Sequence, residues 1–131
     1  MVEGAFARTV FPTNERPREP GLLHVAYCLA IMPKVAVMAY TSSQPWPPGP
    51  VPPPWVRIFD ADEAARLRQR PFVLYLNRIA KLPPTRRWFP ELEMPTQGIV
   101  AVAGAHLRNE LLAAAVDVAR RRPEMLRLAG P

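Results

Sequence analysis

Seven of the ten residues from Pro45 to Pro54, read PWPPGPVPPP, are proline. Proline has no amide hydrogen to donate and its ring fixes φ, so this stretch can form neither a helix interior nor a ladder strand. It must be a stiff, extended connection around which the rest of the chain folds. Proline is abundant elsewhere too, 18 in 131 residues, about three times the usual share. A chain of this length predicts one domain, here residues 1–131, and a hydrophobic content of 49% supplies a packed core.

The pattern between the prolines is mostly that of strands. Gly4–Phe11 (GAFARTVF) alternates loosely, and Glu15–Gly21 (ERPREPG) reads as a charged loop. Leu22–Met32 and Val35–Tyr40 are apolar runs parted by Pro33, which predicts two buried strands rather than one helix. Thr41-Ser42-Ser43-Gln44 then sets four polar side chains at a strand end, a place where strand-and-loop folds hold chemistry. Trp55–Phe59 reads as a strand, followed by Asp60 and Glu63 as a reciprocal helix cap, a short helix to Gln69, and a strand at Phe72–Leu76. Thr85–Phe89, between Pro83-Pro84 and Pro90, predicts an irregular loop, and Ile99–Val102 a last short strand. Gly104–Arg122 is the clearest helix, with Leu107, Leu111, Ala114, Ala115 and Val118 on one stripe. The expected fold class is therefore mainly β with α: a small, partly closed barrel with a C-terminal helix and a short internal one.

Charge is unevenly spread, −1 over residues 1–65 and +7 over residues 66–131, within a net +6. A basic half suggests a polyanion, nucleic acid first, although a solvated arginine-rich surface gives the same sum. Arg120-Arg121-Arg122 has a structural account, since it lies at the negative end of a helix dipole beside Asp117. Several function classes are excluded. The longest apolar run, Leu22–Met32, is too short to span a membrane, and the first residues lack a signal layout, so a cytoplasmic protein is expected. A single cysteine, Cys28, forbids an internal disulfide and a multi-cysteine zinc site. No phosphate-cradling glycine loop occurs, and the two histidines, His24 and His106, lie far apart, so no metal or other cofactor is expected.

What remains open is RNA cleavage without a metal. Cutting RNA beside its own 2′-hydroxyl needs a base, an acid for the leaving oxygen, and cationic or hydroxyl donors for the charged phosphorane. His24, Thr41, Ser42, Arg16 and Arg18 all lie near the two central strands, with Ser43 and Gln44 beside them. The plainer alternative is that Thr41–Gln44 only caps a strand and turns the chain. In TRRWF, Arg86 and Arg87 can contact phosphates while Trp88 stacks a base. Equally, Trp88-Phe89 can anchor the loop to the core.

Three segments, read in order, resemble the MazF/PemK family of type II toxins. They are YCLAI with VAVMAYTSSQ (Tyr27–Gln44), YLNRIAKLPPTRRWF (Tyr75–Phe89), and PTQGI (Pro95–Ile99) with the helix after it. The resemblance implies a small SH3-like barrel of about five to seven strands, Pro45–Pro54 being a rigid form of its variable loop. It also implies a homodimer, a cognate antitoxin, and endoribonuclease action on single-stranded RNA such as mRNA. The family's catalytic threonine slot falls on Ser42 and its arginine slot on Ala26. A lost phosphoryl-charge arginine costs orders of magnitude in rate. Either His24 or an arginine of the Glu15–Gly21 loop substitutes, or the protein is an inactive RNA- or protein-binding module.

Overall fold

In the computed structural model, which describes residues 1–131, the two apolar runs parted by Pro33 form a hairpin. Strands β2 (Leu23–Met32) and β3 (Val35–Ser42) pair antiparallel, and the turn between them is Pro33-Lys34, with Lys34 in the left-handed region at φ 70°. Around this hairpin lie β1 (Ala5–Val10), β4 (Val56–Phe59), β5 (Phe72–Leu82), β6 (Ile99–Val102) and β7 (Arg127–Ala129). The order β4-β5-β3-β2-β1-β6 is antiparallel throughout, and β7 joins β5 in parallel. Register breaks at Phe6/Ala7, Cys28/Ala30 and Ala39/Tyr40 curl the sheet into a half-barrel, as bulges do by bending a strand and adding twist. The fold is the expected small, mainly β one, with a C-terminal helix and a short internal helix.

Period-two alternation makes two apolar layers. Tyr27 and Leu29 enter one with Phe6, Phe59, Phe72 and Leu74; Ala26 and Cys28 enter the other with Phe11, Met38 and Trp88. Helix α2 (Ala105–Arg121) covers the first layer through Leu107, Leu111, Ala114 and Ala115, the stripe read from the sequence. Within that layer Phe59 stacks on Phe72 at 4.5 Å and Phe6 meets Tyr27 at 4.8 Å. Such ring pairs add about 0.5–1.5 kcal/mol beyond their burial. The 83–98 loop covers the second layer, and Trp88 and Phe89 are buried in it. Anchoring is thus the observed role of that aromatic pair. The thiol of Cys28 is sealed there as well, and burial pushes its pKa up to about 12, which leaves it unreactive.

Helix α1 (Ala61–Arg66) starts at the expected cap, where Asp60 accepts the Glu63 amide at 2.9 Å. Arg57 ties both helices to the sheet, with Glu63 at 2.6 Å and Glu110 at 3.0 Å. Its bonds to Glu63 first, then to Glu110, raise its pKa and outweigh the effect of burial. Two expectations fell short: α1 ends at Arg66 rather than Gln69, and β5 runs on six residues past Leu76 to Leu82. Strand β7 had no forecast at all. No helix is long and apolar enough to cross a membrane.

Candidate functional site

The extension of β5 creates the site. Ala39 pairs with Ile79 but the next residue, Tyr40, pairs with Tyr75, so Leu76-Asn77-Arg78 bulge out of the ladder. Bulges of this kind re-aim side chains. Here Asn77 and Arg78 turn into a trough of about 330 Å³ at the end of β3. Beside them stand Ser42 and Gln44 from the strand end, Asn14 from the β1–β2 loop, and the rings of Tyr40 and Tyr75. Arg127 of β7 completes the wall. A second lobe of about 240 Å³ continues past Arg78 and Arg127 under Thr13 and Pro17.

Arg78 and Arg127 are register partners across β5 and β7, so the two cations stand side by side. Neither forms an ion pair, and no Asp or Glu lines either lobe. Like charges directly opposite on a sheet are unfavourable by a few tenths to about 1 kcal/mol. The guanidinium of Arg78 is held over the Tyr40 ring at 3.9 Å and donates to the Pro12 carbonyl at 3.2 Å. That bond uses one of its five N–H groups, and the others have no partner in the protein. The hydroxyl of Ser42 accepts the Gln44 amide at 3.1 Å, which leaves its own proton free to donate.

The other residues singled out from the sequence fall in different places. Thr41 does not join Ser42: alternation puts it on the opposite face, buried, where its hydroxyl donates to the Val25 carbonyl at 2.6 Å. Ser43 lies outside the trough, on a neighbouring apolar pocket. Arg16 is exposed and paired with Glu19 at 3.5 Å, and neither it nor the exposed Arg18 lines the trough. Arg86 pairs with Glu93 at 3.6 Å and Arg87 lies over the Trp88 ring at 5.6 Å, on the loop that covers the second layer. Ala26, in the slot where the resemblance calls for arginine, is completely buried. No three His, Cys, Asp or Glu side chains cluster as metal ligands.

His24 is on the same face, packed edge-on to Tyr40 at 5.0 Å and to Phe11 at 6.3 Å, behind the trough rather than in its wall. Burial lowers its pKa, and the charge of Arg78 lowers it further, so the imidazole is neutral at pH 7. The unfolded chain therefore takes up this proton more readily than the folded one. Stability should be full above about pH 6.5 and fall as the pH drops below it. Denaturant midpoints measured across that range should show the decline, and His24→Phe should flatten this part of it.

Two trough residues escaped sequence reading. Arg78 stood in plain view, but a strand drawn only to Leu76 gave it no direction. Arg127 had one available signal, the short alternation Leu126-Arg127-Leu128 beyond Pro123. No protein-family model matches the chain, and no curated protein or solved structure does either.

Proposed function

We propose that the chain binds single-stranded RNA in the arginine trough and cleaves it without a metal, as a toxin of the MazF/PemK type. One observation carries this reading: two unpaired, in-register arginines share an acid-free trough with a free hydroxyl donor. Unpaired neighbouring cations cost folding energy that a phosphate anion returns on binding. The Tyr75 ring beside them suits an unstacked base, which favours a single strand over a duplex.

In the cleavage step the 2′-oxygen attacks the adjacent phosphorus and gives its proton to a base. The bond to the 5′-oxygen then breaks, and that oxygen takes up a proton. The products are a 2′,3′-cyclic phosphate and a 5′-hydroxyl. Arg78 and Arg127 hold the charge gathered on the phosphorane, and Ser42 donates to it. No wall residue is a base, so water takes the 2′-proton in this reading, and His24, neutral but behind the trough, only backs the Tyr40 ring. A homodimer restrained by a cognate antitoxin in the cytoplasm completes the proposal, on the family resemblance alone.

The buried Ala26 favours a second reading, a non-catalytic RNA-binding module on the same fold. Incubating purified protein with single-stranded RNA and a chelator separates the two. Cleavage is expected, and Ser42→Ala should abolish it with unchanged circular dichroism and Tm. RNA left intact by concentrated, folded protein would overturn the nuclease, and salt-dependent binding without cutting would establish the second reading.

A further inference from the structure

The proline-rich segment does more than connect strands. Trp46, near its start, turns its indole back onto the same segment and donates to the Pro50 carbonyl at 3.0 Å. The ring is half-buried and forms, with Pro47, Ile58 and Pro71, the wall of an apolar slot of about 290 Å³. Phe59 and Phe72 of the main core close its floor. Because the surrounding prolines have little freedom to lose, the indole is held in place before any ligand arrives.

The slot adjoins the trough through the backbone. Ser43 lines it and Ser42 lines the trough, and Val73, the register partner of Ser42, is in the slot's wall. Its chemistry is the complement of the trough's. It has no cation, and its one charged group is the carboxylate of Asp60, already bonded to the Glu63 amide. A phosphate is unwelcome there, whereas a flat, uncharged ring fits between indole, proline and isoleucine surfaces.

We infer that the Trp46 slot is a nucleobase subsite. It takes one unstacked base of the single-stranded RNA whose phosphate lies against Arg78 and Arg127, and so rests on the RNA reading above. The trough then sets affinity through charge, while the slot adds stacking that is indifferent to salt. An apolar side chain of a protein partner is the rival occupant.

The test uses a short 2′-O-methylated oligoribonucleotide, which lacks the attacking hydroxyl and cannot be cut. Binding should quench tryptophan fluorescence in the wild type but far less in Trp46→Phe, since Trp88 is buried and Trp55 packs on the core. Trp46→Ala should weaken binding about ten-fold, the usual size of one base–aromatic stack, with the salt dependence unchanged. Trp46→Phe should keep most of the affinity. An oligonucleotide series with one abasic position should show a matching loss at one site in the wild type, and no further loss at that site in Trp46→Ala. Full affinity in Trp46→Ala, or losses that simply add, would overturn the subsite while leaving Arg78-dependent binding intact. An oligonucleotide that the wild type does not bind overturns the RNA reading itself.

Discussion

Replacing Arg78 with alanine is expected to lower RNA cleavage by about 100- to 1,000-fold, the usual cost of removing one donor that holds transition-state charge. Binding should weaken as well, and the slope of log affinity against log salt should fall by about one, as for any lost phosphate contact. Stability should fall by about 1–3 kcal/mol, because the hydrogen bond to the Pro12 carbonyl is lost. The variant gives up the guanidinium stack on Tyr40, worth about 0.5–1 kcal/mol at a partly exposed site. It also relieves the repulsion from Arg127, of similar size. Arg127→Ala sharpens the comparison, because that side chain makes no hydrogen bond or ion pair in the protein. It should weaken RNA binding while leaving the Tm level or slightly higher. Cleavage assays, salt titrations and melting curves on the two variants check this together. Undiminished cutting by the Arg78 variant would remove the basis for the nuclease reading.

The second large effect is on stability. Trp88→Ala should destabilise the fold by about 3–5 kcal/mol, a large part of the total for a domain of this size. The side chain is 1% exposed and fills the layer between the sheet and the 83–98 loop, among Phe11, Met38 and Leu82. The backbone carbonyl of Trp88 also accepts the Val10 amide at 3.0 Å, a bond at the end of β1 that the buried side chain holds in place. Neighbouring Arg87→Ala, an exposed change, should stay within about 0.5 kcal/mol. Denaturant midpoints decide. If Trp88 stacked a base instead, its variant would lose RNA affinity at unchanged stability, the reverse of this pattern.

The parts of this molecule that could be read from its sequence are those governed by local rules. Pro33 had to break an apolar run, the Asp60–Glu63 cap had to start a helix, and the stripe from Leu107 to Val118 had to face a core. The fold class followed from these. The site did not, because it depends on pairing. Thr41 and Ser42 look equivalent as neighbours, and only the face each takes in the sheet decides that one hydroxyl is spent on Val25 while the other is free. Arg16 and Arg18 looked available, but both are exposed, and their loop lends Asn14 to the trough and Thr13 and Pro17 to its second lobe. Arg78 owes its direction to three residues left unpaired by β3, and Arg127 owes its place to a strand that pairs across more than a third of the chain. Such register effects come from the sum of the ladder and have no signature in any short window.

The parallel pairing of β7 with β5 makes the arginine pair a product of long-range assembly. Parallel neighbours need a long crossover, and here β6 and α2 both intervene before Arg127 can settle beside Arg78. Gly130 secures the arrival: its φ is +122°, and any Cβ there would overlap the Lys81 carbonyl, while its amide is bonded to Pro17 at 2.7 Å. A half-finished molecule therefore carries one lone guanidinium and no anion cradle.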